Sequence, residues 1–344
     1  MDVSEAHNTL IWMLDIYTGP MVGVAVRLGI PDLIASGPKT ASELAALTDQ
    51  HPGALGRMMR ALSARGVFEE LPDGRYGLTP LSELLRSGVA GSLRAMSLWR
   101  TTESSSLVAQ AIGHSIKTGE PATVTAVGKP FFENLAARPE DLEIFTALMV
   151  SGTNPGVIGN RHALVAACGA FGDSRVVVDV AGGRGQLLAE VLKVQREARG
   201  LLFDRQEVVA SAREFLAAAG VTDRVEVVAG DFFEAVPPGG DTYALSFIMH
   251  DWQDAQCLAI LRNVQSAAAP GSRLLTIERV LPPAGASSPT FDHDTTQDIN
   301  MMVGVGGMER TATEYRALFD GAGFEFVRDW PTGTAIHVLE GRRR

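Results

Sequence analysis

The sequence predicts a doubly wound α/β chain, a parallel sheet with helices on both faces, preceded by a mainly helical, winged-helix-like N-terminal region. Three observations predict it. Up to about Arg100 the apolar residues recur at helical spacing and only one short stretch alternates. From Ser174 onward short apolar runs alternate with helical stretches. The first of those runs, Val176–Val180, ends in a glycine-rich turn that opens a helix, as ligand-binding parallel sheets do.

The 344 residues are enough for about two domains, and 46% apolar residues with a mean hydropathy of +0.10 supply sizeable cores. A net charge of −10 repels a phosphate backbone, so general nucleic-acid binding is excluded as a leading expectation. Acids at Asp2, Glu5 and Asp15 interrupt any N-terminal signal segment, and no apolar run reaches the length of a bilayer span. Cys168 and Cys257 are too few for a disulfide framework, which fits a cytoplasmic chain with no membrane partner.

Residues 7–30 carry apolar side chains on faces too broad for a helix with one neighbour, which implies a partner surface. Thr40 or Ser42 can cap a helix through Leu47, and after His51-Pro52-Gly53 a second helix sets Leu55, Met58, Met59 and Leu62 on one face. The stretches 67–71 and 75–78, joined by Pro72-Asp73-Gly74, read as a hairpin. Arg57, Arg60 and Arg65 on the second helix would serve DNA, but the acidic chain and the long region that follows favour a structural or dimerising role for this unit. The expected boundaries are residues 1–100 for this domain, 101–165 for connecting helices broken at Gly119-Glu120-Pro121 and Asn154-Pro155-Gly156, and 166–344 for the sheet core. Parallel strands are expected at 175–180, 200–204, 224–229, 242–247 and 273–279, with an antiparallel pair at 323–329 and 334–339.

The loop after the first strand reads Asp179-Val-Ala181-Gly182-Gly183-Arg-Gly185. Glycines let the backbone turn sharply and a ligand approach where a Cβ would collide. The next strand ends at Asp204, where a carboxylate can accept two hydrogen bonds from a ribose diol. The loop is too compressed for the G-x-G-x-x-G spacing of a dinucleotide site. The third strand leads into Asp231-Phe232, an acid for an exocyclic amine and a ring to pack on an adenine. Together these residues favour S-adenosylmethionine over a dinucleotide, with a helix cap as the alternative role for Asp231.

His250 follows the fourth strand, at the sheet edge where ligands bind in this architecture. An imidazole there can take a proton from a phenol or enol at neutral pH, oriented by a carboxylate. Glu278, ending the fifth strand, and Glu309 qualify for that role.

The motifs Asp179-Val-Ala-Gly-Gly-Arg-Gly185, Phe203-Asp204, Gly230-Asp231-Phe232-Phe233, His250-Asp251-Trp252 with Asp254 and Cys257, and Gly306-Gly-Met-Glu-Arg-Thr311 together resemble the plant-type, caffeic-acid-like small-molecule O-methyltransferases and their bacterial natural-product members. The resemblance covers essentially the whole chain. It implies a Rossmann-like, seven-stranded class I methyltransferase domain, an N-terminal dimerisation domain, a homodimer, an aromatic acceptor and no metal. It also implies His250 as base, Glu278 and Glu309 as flanking acids, and cofactor contacts from Asp179, Gly182, Gly183, Gly185, Asp204, Asp231 and Phe232. Trp252 matches an aromatic residue beside the cofactor, and Ser246 stands where many plant members place a lysine near the adenine. The implied acceptor contacts are Phe132, Met149, Met249, Asp251, Asn300 and Met301.

Where the family usually has glycine this chain has Ala181; if that residue needs a positive φ, its methyl group costs about 1–2 kcal/mol. Gln206 likewise replaces a usual proline. Phe291-Asp292-His293-Asp294 reads as a polar loop, since its spacing is too tight to aim three ligands at one metal ion. Two alternatives remain at this stage: the same fold and cofactor used for hydroxylation, decarboxylation or rearrangement, or a winged-helix regulator that senses a nucleoside ligand.

Overall fold

The computed structural model describes residues 2–151, 161–283, 285–286 and 291–344. The break expected at Asn154-Pro155-Gly156 lies outside them. The chain divides into two compact units, one of Met1–Leu107 with Leu135–Thr153, the other of Val108–Asn134 with Asn154–Arg344, so the connecting helices are shared between both.

In the first unit, helices Val3–Met13, Thr18–Arg27 and Ile30–Ala35 precede β1 (Lys39–Thr40), helices Ala41–Thr48 and Pro52–Ala64, β2 (Phe68–Glu70) and β3 (Arg75–Leu78). Thr40 closes a reciprocal capping box with Glu43, which is why the first helix of the helix-turn-helix starts at Ala41. The expected face of the second helix is the buried one: Leu55, Met59 and Leu62 pack with Val26, Ile30, Leu44, Phe68 and Tyr76. The hairpin gains a third strand, β1, which pairs with β3 and was too short to show a periodicity. Arg60 reaches Glu70 at 3.4 Å and Arg65 reaches Asp15 at 2.6 Å, so these arginines already face acids. By contrast Leu10, Ile11, Trp12, Met13, Leu14, Ile16 and Tyr17 are exposed. No single described helix is long and apolar enough to cross a membrane, although Val3–Met13 and Thr18–Arg27, bent by 43°, satisfy the length and composition together.

The second unit is built on β4 (Val176–Val180), β5 (Arg199–Asp204), β6 (Val225–Ala229), β7 (Thr242–Ser246), β8 (Arg273–Leu281), β9 (Arg310–Thr311), β10 (Phe324–Pro331) and β11 (Ile336–Arg343). The sheet order is β10-β11-β8-β7-β4-β5-β6, with β4 to β8 parallel to one another and β11 antiparallel to both β8 and β10. The seven expected strands are all present. Alternation along each strand feeds two cores, Val177, Leu187, Leu192, Leu275 and Ile336 on one face and Val178, Val180, Leu245, Ile260 and Leu339 on the other.

Starting from central β4, the chain runs outward through β5 and β6, then returns to place β7 on the other side of β4. The crevice between the ends of β4 and β7 is therefore the switch point where such sheets bind ligands. One departure from the sequence reading affects it. Residues 291–294 begin the helix Phe291–Gly304 and are not a loop; Asp294 is buried and paired with Arg279 of β8, a tertiary contact that local polarity could not reveal. Arg310 and Thr311 form β9, which pairs in parallel with Val280 and Leu281 directly ahead of the helix Ala312–Gly321.

Candidate active site

At the end of β4 the chain passes Ala181 at φ 55°, Gly183 at φ 63° and Gly185 at φ 87° before the helix Gln186–Val194. Ala181 thus holds the left-handed conformation that the sequence flagged, at a cost of about 1–2 kcal/mol. A Cβ on Gly182 would meet the Asp179 carboxyl at 2.5 Å and Leu202 at 2.6 Å, so only glycine lets the loop lie this close to the sheet. Asp204 Oδ2 accepts from Gly183 N–H at 2.8 Å, tying the loop to β5. Asp179 is fully buried, neither oxygen has a well-formed hydrogen bond, and burial together with the Asp204 charge raises it to about 7. Burial also raises Asp204, against the pull of the Arg205 and Gly183 N–H groups. A buried acid met only weakly, by the Leu188 N–H, beneath a glycine cradle, and a second acid half-exposed at its rim, fit a polar nucleoside ligand.

Across the crevice, β7 ends with Ser246, whose hydroxyl is buried and unpartnered among the described residues. Phe247 follows at φ 57°, an uncommon conformation for an aromatic residue, and its N–H still bonds to Ile277 O at 2.9 Å. The chain then makes the 3₁₀ turn Met249–Asp251. Glu278 Oε1, on β8, accepts from Ile248 and Met249 N–H at 3.1 and 2.8 Å and so anchors that turn.

The turn delivers His250 into a nest of acids. Its Nδ1 lies 3.1 Å from Glu309 Oε1 and 4.0 Å from Glu278 Oε2, and its Nε2 lies 3.6 Å from Asp251 Oδ1. The imidazole is 12% exposed, Glu278 0% and Glu309 1%. Burial opposes charge on the ring, but Glu309, Asp251 and Glu278 outweigh it and raise His250 to about 10. Burial raises Glu278 to about 7 and Asp251 to about 6 against the attraction of His250. With Nδ1–H donating to Glu309, the Nε2 lone pair is the one that can accept a proton.

The structure brings His250, Glu278 and Glu309 together as the sequence proposes, and gathers the glycine loop and Asp204 on the opposite wall. Asp231 is exposed, with Oδ1 accepting from Phe233 N–H at 2.7 Å, while Phe232 and Phe233 pack edge-on to Trp252. Met249 has its side chain wholly inside the core; what it presents to the turn is its carbonyl. Met301 is nearly buried and Asn300 half-buried on the helix Phe291–Gly304, and Phe132 is half-buried beside Phe131. Met149 sits half-buried in the first unit, on Pro139–Ser151. Asp298 is marked by no motif, and Arg310 lies in the Gly306–Thr311 motif with no role assigned to it, yet Asp298 Oδ1 accepts from Glu309 N–H at 2.8 Å and Arg310 braces the histidine turn. Among the described residues no cluster of three or more histidine, cysteine or acidic side chains could hold a metal ion.

Residues 110–325 match the O-methyltransferase domain and residues 15–88 the O-methyltransferase dimerisation domain. The chain belongs to the O-methyltransferase family. This S-adenosylmethionine-dependent O-methyltransferase is 39% identical over 319 residues to a phenazine O-methyltransferase of Lysobacter antibioticus, covering 93% of this chain and 91% of the relative. The structure of the mitomycin 7-O-methyltransferase MmcR superposes with a TM-score of 0.91 at 32% identity, covering 99% of this chain and 98% of that one. A neocarzinostatin-biosynthesis O-methyltransferase, solved with S-adenosylmethionine and 2-hydroxy-5-methyl naphthoic acid, superposes with a TM-score of 0.82 at 32% identity, covering 96% of this chain and 98% of that one.

Proposed function

We propose that this O-methyltransferase methylates a phenolic or enolic hydroxyl of an aromatic secondary metabolite, with His250 as general base. The observation that carries the reading is the buried imidazole with Nδ1 on Glu309 and Nε2 left to accept the acceptor's proton. As the ring gains charge, Glu309, Glu278 and Asp251 stabilise the imidazolium where little water reaches. S-Adenosylmethionine supplies the methyl group, and its positive sulfonium also disfavours a proton resting on His250 before the acceptor arrives.

In the same reading Asp179, Gly182, Gly183, Gly185 and Asp204 hold the cofactor, with Asp231, Phe232, Ser246 and Trp252 on its adenosyl side. Phe132, Asp251, Asn300 and Met301 are the acceptor contacts of the second unit, an aromatic ring and a thioether suiting a flat apolar ligand. The dimerisation-domain match and the exposed apolar run Leu10–Tyr17 support a homodimer, and the enzyme is read as cytoplasmic. The test combines calorimetric titration with S-adenosylhomocysteine and a screen of hydroxylated phenazines and naphthoates with labelled S-adenosylmethionine. Label in the product with one S-adenosylhomocysteine per turnover supports it; product formation without stoichiometric S-adenosylhomocysteine overturns it.

A further inference from the structure

Arg310 directly follows Glu309 and is 1% exposed, a cation almost wholly removed from water. Such a group persists only where its donors are met. Its Nη1 donates to Met249 O at 2.9 Å and to Met308 O at 3.4 Å. Its Nη2 donates to Trp252 O and Asp254 Oδ1, each at 2.8 Å, and Nε to Asp254 Oδ1 at 3.0 Å. Met249 and Trp252 bracket His250, whereas Met308 and Arg310 bracket Glu309. One planar guanidinium therefore spans the backbone on both sides of the imidazole–carboxylate contact. The two segments are also zipped directly: Met308 N–H donates to His250 O at 2.9 Å, and a Cβ on Gly307 would collide with that carbonyl.

We infer that Arg310 is a positioning residue for the methyl transfer: by clamping the turn 249–252 to the segment 308–310 it fixes Nδ1 of His250 on Glu309. The inference rests on the reading of His250 as the base. Lysine preserves the charge but offers one nitrogen, which cannot reach three carbonyls and Asp254 in the geometry of a fork.

The test uses the full chain labelled with ¹⁵N-histidine, comparing wild type, Arg310→Lys and Glu309→Gln. His250 faces Glu309, Glu278 and Asp251, and Arg310 faces Asp254, Cys257 and Tyr315, so the retained charge leaves the ring–carboxylate contact as the main variable. The expected result for Arg310→Lys is a His250 titration midpoint lowered by about one unit or more, with S-adenosylhomocysteine affinity within about twofold of wild type. An unchanged midpoint overturns the clamp. If Arg310→Lys does not fold, Asp254→Asn replaces it, since that carboxylate is mostly exposed; a smaller shift in the same direction is expected, and none overturns the clamp. If Glu309→Gln also leaves His250 unmoved, Glu309 does not hold the ring and the clamp is overturned; failure of the base reading is read separately, as near-normal turnover of His250→Ala, so the two failures are distinguishable.

Discussion

The two walls of the crevice are made in opposite ways. The glycine-loop wall is the short stretch 179–185 together with Asp204, shaped by backbone conformation and held by few cross-links, chiefly Gly183 N–H to Asp204. The histidine wall is assembled from the end of β7, the end of β8, the helix Phe291–Gly304 and β9, and nearly every link in it joins residues far apart in sequence. A local wall needs the right residue types in the right order. An assembled wall needs the whole sheet in register, because a His250 side chain misplaced by an ångström loses its carboxylate.

Removing His250 is the severest way to break this comparison. His250→Ala is expected to lower turnover at least about a hundredfold with S-adenosylhomocysteine binding retained, because only the assembled wall is damaged. Near-normal turnover would remove His250 from that role. Glu309→Gln comes next, at about 10- to 100-fold, the worth of one hydrogen bond to a charged group. It also carries a pH signature. A base raised to about 10 gives activity that climbs from neutral toward alkaline pH as the imidazolium loses its proton. Losing one of the carboxylates that raise it must move that limb to lower pH, and a profile from about pH 6 to 10 reads the sign. A limb that moves upward or stays fixed means Glu309 does not hold the ring.

On the other wall, Asp204→Asn is expected to weaken S-adenosylhomocysteine binding about tenfold by calorimetry while leaving turnover at saturation nearly intact. A loss confined to turnover would mean the walls are not separable. Ala181→Gly has the smallest expected effect. It relieves about 1–2 kcal/mol of left-handed strain and returns part of that as chain freedom in the unfolded state, for a net stabilisation of roughly 1 kcal/mol or less by thermal or urea unfolding. A destabilised variant would mean that the Ala181 methyl group is packed to advantage.

The same contrast explains what could be read from the residues in order. Thr40 with Glu43, the face Leu55-Met59-Leu62, the strand Val176–Val180 and the loop after it are all written in neighbouring residues, and each appears in the structure where the pattern puts it. Residues 291–294 read as a polar loop because their charge and polarity are visible locally, whereas the buried Asp294–Arg279 pair that makes a helix acceptable there is not. Two-residue strands such as β1 and β9 have no period to detect. Met249 shows the limit for single side chains: adjacent to His250, it turns into the core because the 3₁₀ turn rotates its neighbour out.

By itself the sequence determined the alternation that makes a parallel sheet, the glycine cradle and its acids, and the presence of a histidine at a strand end, since strand period, turn stereochemistry and residue chemistry act over a few bonds. Only the tertiary structure decided that Glu309 meets Nδ1 of His250, that Asp298 holds Glu309, and that Arg310 ties Met249, Trp252 and Met308 together. The contacts of Glu309 with His250 and of Arg310 with Met249 and Trp252 span 58 to 61 residues, and their geometry exists only once the sheet has set β7, β8 and β9 side by side.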